Sequence, residues 1–508
     1  MKALELGKAE EAYPHVVGLL ALYPDHPEVL RLFAGVQNLR GEAVEAVATM
    51  RRAVAACPDD PLLLDNLGSV LLATDEYEEA VFCFSRACEL DPQFAGAWHH
   101  LGLAQMYHVR PDEAAAAFRR AAELSSDQVD ARAMHAYMLN SLGRIDESVA
   151  EYRRTIALRP YAGMAWWGLA SIKTVRFDEA DIDAMKQASR HPKAGDQDRV
   201  TIGLALAKAL DERQRYAEAL TELARAHGIS RRYIRWDAAA HAAHVDALMA
   251  AFATSSESSP SSLGHEVIFI VSIPRSGSTL TEQVLASHSQ VEGAAELLDV
   301  TLVLQEESKR RGKPLERWAP EADGEDWKRL GLSYLERTAR WRERRPRFTD
   351  KMPGNWLYLG AIRAMLPGAR IVVVRRDPLE TCFSCYRQQF AKNQYTHSFA
   401  DLASTWRDFD RAVRHWRDLH PGHVYESSYE RLVADPESAI RDLLAFCGLD
   451  FEPACLEFHK TVRNVHTPSA AQVREPLRRD TARSARYGSL LDPLRAELKM
   501  PLFAVSDP

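Results

Sequence analysis

Between Ser272 and Leu280 the chain reads Ser-Ile-Pro-Arg-Ser-Gly-Ser-Thr-Leu, and these residue types in this order can bind an anion. Gly277 permits close backbone approach, Ser278 and Thr279 supply hydroxyl donors, and Arg275 supplies a positive charge. The loop directly follows Val267–Val271, a continuous apolar run of the kind a buried parallel strand requires. A helical pattern (Leu280, Val284, Leu285) begins directly after it. A strand, a tight loop and a helix N-terminus aim unpaired N–H groups and the helix dipole at one point, so phosphate binding is the chemistry expected. The loop does not fit a nucleoside-triphosphatase: that pattern needs lysine where Ser278 stands and an earlier glycine where Ser272 stands.

A second candidate anion site lies about a hundred residues on. Arg370-Ile371-Val372-Val373-Val374-Arg375-Arg376 reads as a buried strand, followed by a helix with Asp377 as N-cap and Pro378 in its first turn. Arg376 stands at the strand end and Ser384 two turns into the helix. A guanidinium there suits a terminal phosphate dianion.

Together these motifs resemble the sulfotransferases that use 3′-phosphoadenosine 5′-phosphosulfate (PAPS), and most closely their tyrosylprotein branch. The resemblance runs in motif order over roughly residues 265–490. It implies a P-loop-like three-layer α/β fold with a central parallel sheet, PAPS as co-substrate, and no metal requirement. Arg275, Ser276, Gly277, Ser278 and Thr279 then form the 5′-phosphosulfate loop, and Arg376 with Ser384 forms the 3′-phosphate site. Tyr429 resembles a residue at the 3′-phosphate end of the nucleotide, and Ser469 a C-terminal serine of the site. Glu296, rather than Glu292, falls where the family carries its general base; without the resemblance it reads as a helix N-terminal carboxylate. Lys351, in Phe348-Thr349-Asp350-Lys351-Met352-Pro353, resembles the strand-end lysine that neutralises charge on the leaving group. Arg275, Glu296 and Lys351 are thus the catalytic candidates.

The acceptor is less well marked. Tyrosylprotein enzymes carry arginines after the glutamate, where this chain has Leu297, Leu298, Asp299 and Val300, and a basic residue where it has Gln388, beside Arg387. A tyrosine of a peptide or protein is the acceptor expected. A small-molecule, lipid or carbohydrate hydroxyl, and an inactive binding scaffold, stand as the alternatives.

What positions this machinery, and what precedes it, follows from period and composition. Leu67-Gly68, Ala80, Phe84 and Ala87, in a unit that also holds Tyr77 and Pro92, recur 34 residues on as Leu101-Gly102, Ala114, Phe118 and Ala121. That is the tetratricopeptide period, with small residues where paired helices approach and an aromatic residue in the gap. Four full repeats, a divergent one beyond Trp166-Trp167-Gly168 and a sixth are expected, with Ala12 and Pro24 fitting half a unit ahead of them. The fold class expected is therefore an all-α solenoid followed by an α/β domain. The divisions are residues 1–235 for the array, 236–264 for a connecting helix and Ser-rich linker, and 265–508 for the sulfotransferase domain. The groove of such an array suits a peptide or protein, including the acceptor.

A net charge of -7 argues against a nucleic-acid partner. No run of about 18 apolar residues suggests a membrane span. Seven cysteines make no disulfide framework, and Cys57, Cys83 and Cys88 are expected as small buried thiols. Cys382 and Cys385 lie mid-helix with no second ligand pair, which favours packing over metal or redox chemistry. A cytoplasmic location is the natural expectation, and the oligomeric state is left open.

Overall fold

Residues 8–108, 110–125, 129–253, 262–390, 393–461, 463, 473–477 and 482–503 are described by a computed structural model. The chain divides into two units between Ile229 and Ser230. No helix of the described residues is long and apolar enough to cross a membrane.

The first unit is all helix. Ala9–Leu22 is followed by the pairs Pro27–Leu39 and Ala43–Ala56, Pro61–Ala73 and Tyr77–Leu90, Ala95–Tyr107 and Pro111–Leu124, and Val129–Ser141 and Ile145–Leu158. Proline opens three of the first-turn positions, at Pro27, Pro61 and Pro111, where its missing N–H costs nothing. Asp60 caps its helix by accepting from the N–H groups of Leu62 and Leu63. The repeat period then acquires a packing reason. A Cβ added at Gly68 would stand 2.7 Å from the Phe84 ring, and one at Gly102 would stand 2.7 Å from the Phe118 ring. Glycine lets the aromatic ring of the second helix lie on the backbone of the first.

The divergent repeat is a real change of shape. Helix Gly163–Ser171 has only 9 residues. Gly168 takes Tyr152 of the preceding repeat against its backbone, so the small-against-aromatic pairing here passes between units. Gly163 is pressed on the next long helix: its N–H donates to Asp198 Oδ1 at 3.0 Å. Helices Glu179–Arg190, Asp196–Glu212 and Tyr216–Ser230 complete the series. Cys83 and Cys88 are buried as expected. Cys57 corrects the reading: it is exposed, because it sits at a helix C-cap and not on the packed face.

In the second unit, helix Ala238–Ala251 packs on the long helix Phe399–Leu419, where Arg411 Nη2 donates to the Ala242 carbonyl at 3.0 Å. The centre is a five-stranded sheet of β1 (Val267–Val271), β2 (Val291–Gly293), β3 (Arg347–Asp350), β4 (Arg370–Arg375) and β5 (Val424–Ser428). All pairs are parallel, in the order β2-β3-β1-β4-β5. Every residue of β1 is buried, as its unbroken apolar run requires. Ile268, Ile270, Val372 and Val374 share one core with Ile440, Leu443 and Leu444 of helix Pro436–Phe446. The order reverses beside β1: the chain passes to β2 and β3 on one side, then to β4 and β5 on the other. The carboxyl end of β1 is therefore the place where an open parallel sheet offers a ligand crevice. After β3 the chain forms a 3-10 turn, Pro353–Tyr358, before the α-helix Leu359–Met365 begins. Pro353, Gly354 and Asn355 are poor helix formers and account for the delay.

Candidate functional site

The loop after β1 is shaped by two left-handed residues, Arg275 with φ 71° and Gly277 with φ 100°. Gly277 is also closed from above: an added Cβ would lie 2.6 Å from the Tyr429 ring. Ser276, Ser278 and Thr279 are buried in the loop and in the first turn of helix Ser278–Ala286. The loop is tied down on two sides. Ser272 N–H donates to the Pro353 carbonyl at 3.2 Å, and the Cys385 thiol to the Pro274 carbonyl at 3.2 Å. So the C-x-x-C pair lies buried inside helix Pro378–Tyr386, as its mid-helix position predicted, and one thiol braces the loop.

Arg376 follows the last residue of β4, and the Asp377 cap accepts from the Glu380 N–H at 2.9 Å. This brings four of the predicted residues together. Arg275 Nε donates to Ser384 Oγ at 3.2 Å. Arg376 Nη1 donates to the Arg275 carbonyl at 3.4 Å, and its guanidinium lies 4.6 Å over the Tyr429 ring. Tyr429 opens helix Tyr429–Ala434 and is held in place by the next residue, since Glu430 Oε1 accepts from the Asp377 N–H at 2.8 Å. Burial pulls the pKa of Arg275 down, and the neighbouring Arg376 and Arg387 charges pull it the same way. Cations gathered at the mouth of an N–H-lined loop favour an anion as their partner. Arg376 Nη2 also lies 3.6 Å from Glu380 Oε2, and Glu380 accepts from the N–H groups of Ser484 at 2.6 Å and Arg483 at 3.1 Å. A C-terminal segment is thereby fastened beside the cluster.

Lys351 leaves the carboxyl end of β3, the strand next to β1, so its backbone is about 10 Å from that of Arg376 across two strand spacings. Its side chain is 1% exposed, and Nζ donates to Glu296 Oε1 at 2.5 Å; the Glu296 side chain is 44% exposed. The Lys351 N–H donates to the Ala295 carbonyl at 2.9 Å. Lys351 is thus buried beside the proline that follows it by two positions, and Glu296 precedes helix Asp299–Arg311 without capping it. The neighbouring Asp350 is fully buried, with Tyr334 Oη donating to its Oδ2 at 2.9 Å. Burial pushes the Asp350 carboxyl up to about 8, so it holds a proton at neutral pH.

The structure therefore gathers Arg275, Ser276, Gly277, Ser278, Thr279, Arg376, Ser384 and Tyr429 in one cluster, with Glu296 and Lys351 as a pair at the same edge of the sheet. Ser469 lies outside the described residues. Glu282, Glu380 and Arg463 were not singled out from the sequence. Their one signal was a carboxylate at Glu282, beside Val284 and Leu285 on a helix packed against the sheet. Among the described residues no group of three or more His, Cys, Asp or Glu is arranged to hold a metal ion.

A family model described as "Sulfotransferase family" matches residues 267–453, and models described as "TPR repeat" and "Tetratricopeptide repeat" match residues 68–107 and 2–61. An Aquifex aeolicus (strain VF5) protein described as uncharacterized is 33% identical over 387 residues, which are 73% of this chain and 50% of that protein. The chain thus spans half the length of that relative. A Caenorhabditis briggsae protein named "Putative protein-tyrosine sulfotransferase" is 23% identical over 198 residues, 39% of this chain and 70% of that protein. Among solved structures, a tetratricopeptide repeat protein from Parabacteroides merdae is 16% identical with a TM-score of 0.34, covering 45% of this chain and 89% of its own. Pseudomonas aeruginosa pilF is 20% identical with a TM-score of 0.32, covering 44% of this chain and 86% of its own. Within the second unit, residues 267–453 thus resemble the sulfotransferase family, and two stretches of the first unit resemble tetratricopeptide repeats.

Proposed function

We propose that the second unit transfers the sulfuryl group of PAPS to an acceptor hydroxyl, that of a tyrosine in a peptide or protein. The observation that carries this reading is the cation cluster of Arg275 and Arg376 at the mouth of the buried Ser276–Thr279 loop, whose strand β1 adjoins the strand β3 that leads to the Glu296–Lys351 pair. The donor supplies the sulfuryl group and a phosphate leaving group. On this reading the loop N–H groups, Ser276, Ser278 and Thr279 hold the 5′ end, while Arg376, Ser384 and Tyr429 hold the 3′-phosphate, with Ser469 as a further contact. Glu296 takes the proton of the acceptor hydroxyl as its oxygen bonds to sulfur. Lys351 and Arg275 neutralise the phosphate oxygen as the sulfur–oxygen bond breaks. Lys351 has to exchange its contact with Glu296 for one with the leaving oxygen, which frees the carboxylate to act as base. No residue of the chain needs to hold a metal for these steps.

The tyrosine acceptor draws support from the Caenorhabditis briggsae relative and from the fused array. Large apolar side chains stand exposed on the first helices of successive repeats, among them Leu62, Tyr107, Tyr137 and Met164, and suit a protein ligand. The seven cysteines are all unpaired, which fits the cytoplasm.

Transfer of labelled sulfate from PAPS to a panel of tyrosine peptides tests the proposal. Wild type is expected to label at least one peptide, and Glu296→Gln and Lys351→Ala each to lower kcat by about 10²–10⁴. Labelling of sugars, lipids or small phenols alone would move the acceptor class. Full activity in Glu296→Gln would remove the base.

A further inference from the structure

Helix Ser278–Ala286, which follows the phosphate loop, buries a carboxylate. Glu282 is 0% exposed. An ionised group is kept in such a place only when partners offset its desolvation. Glu282 Oε1 accepts from the N–H of Ala295 at 2.8 Å and from Thr349 Oγ1 at 3.0 Å. Its Oε2 accepts from Arg463 Nη2 at 2.8 Å. Thr349 also accepts from the Ala294 N–H at 3.3 Å, so two consecutive amides of the turn before Glu296 are held by the Glu282–Thr349 pair.

That turn is strained. Ala295 adopts φ 65°, a left-handed conformation that its Cβ disfavours. Its peptide groups are gripped from both sides: the N–H by Glu282, and the carbonyl by the Lys351 N–H at 2.9 Å. The next residue is Glu296, whose carboxylate meets Lys351 Nζ at 2.5 Å. Thr349 lies in β3 two residues before Lys351, so one buried carboxylate joins the loop helix, the lysine strand and the turn that carries the base. Arg463 compensates its charge and is itself fixed, since its Nε donates to Gln283 Oε1 at 2.6 Å. A leucine could fill the volume of Glu282, but it could not hold an amide in a left-handed turn.

We infer that Glu282 is a positioning residue for Glu296, holding Ala295 in its left-handed conformation so that the base faces Lys351. This rests on the reading of Glu296 as general base. Glu282→Gln preserves shape, but its NH2 must turn toward either the Ala295 N–H or the Arg463 guanidinium, and one of these pairs is lost.

The test uses the full chain and three readouts: binding of the product nucleotide 3′-phosphoadenosine 5′-phosphate (PAP), hydrogen exchange at the Ala295 amide, and sulfuryl transfer from PAPS to a tyrosine peptide. Glu282→Gln is expected to bind PAP within about threefold of wild type. Its Ala295 amide should exchange at least about tenfold faster, and kcat should fall about 10–100-fold with KM for PAPS unchanged. Adding Ala295→Gly should recover at least about threefold in kcat, because glycine takes positive φ freely. A purely structural role would show no such rescue. Wild-type kcat and unchanged Ala295 exchange in Glu282→Gln would overturn the inference. If that variant loses PAP binding through misfolding, Thr349→Val, which removes one strut, is read against the same criteria. If wild type binds PAP but transfers nothing, the base reading of Glu296 fails, and exchange at Ala295 alone decides whether Glu282 holds the turn.

Discussion

At position 277 two constraints coincide: φ is 100°, and a Cβ would meet the Tyr429 ring at 2.6 Å. Either alone disfavours a side chain. The left-handed angle costs a non-glycine residue about 1 kcal/mol or more, and the ring on which Arg376 rests would also have to move. Gly277→Ala is therefore expected to weaken PAP binding at least about tenfold in a calorimetric titration, with the far-ultraviolet spectrum unchanged. Binding equal to wild type would mean that the loop does not shape the site. Residues of this kind were legible in the sequence because their chemistry is written locally: a strand, a glycine and hydroxyls in series, then an arginine with a serine eight positions on. Glu282 and Glu380 were not, because their work is done at a distance. Glu282 reaches Ala295 across 13 positions and Arg463 across 181, and Glu380 reaches Ser484 across 104. Arg387 stood beside Gln388, which occupies the place of the family's basic residue, and only the fold places its charge where it acts on Arg275.

Within an element, small residues decide how closely helices pack. Gly68 receives Phe84, which is fully buried, so the ring has little room to move aside. Gly68→Val is expected to destabilise the first unit by about 1–3 kcal/mol through overpacking. Thermal unfolding followed by helical signal should show a transition lowered by several degrees, with PAP binding intact. An unchanged transition would mean that the glycine-to-ring contact does not set the repeat spacing. The repeat period made most of this array readable, since each unit repeats the same contact. It failed where the contact changed partner: Gly168 takes the ring of the preceding unit, and its helix stops at Ser171. The three-residue strand β2 was also missed, because Val-Glu-Gly is too short to show a period and is defined by its pairing with β3. The burial of Lys351 likewise comes from its place between strand ends and could not be read from its neighbours in sequence.

At the scale of the whole molecule, burial favours the neutral forms of His415, His420 and His423, and such histidines subtract stability in mild acid. Burial, with Arg363, His423 and His415 nearby, lowers the pKa of His420 to about 4. The folded chain thus keeps His420 neutral where the unfolded chain, with an ordinary value near 6.5, takes up a proton. Stability from this group is constant above about 6.5 and is lost as pH falls from there toward 4. Urea unfolding at pH 7 and pH 5 should show wild type losing roughly 1–2 kcal/mol more than His420→Gln. An equal loss in both would place the acid sensitivity elsewhere. On this reading the second unit holds a nucleotide carrying phosphates at both its 5′ and 3′ positions, and calorimetric titration of PAP into wild type and Arg376→Ala decides the matter. Micromolar binding by wild type, about -8 kcal/mol, weakened at least about tenfold in Arg376→Ala, is the result expected. Failure of wild type to bind PAP, or equal binding by both proteins, would contradict it.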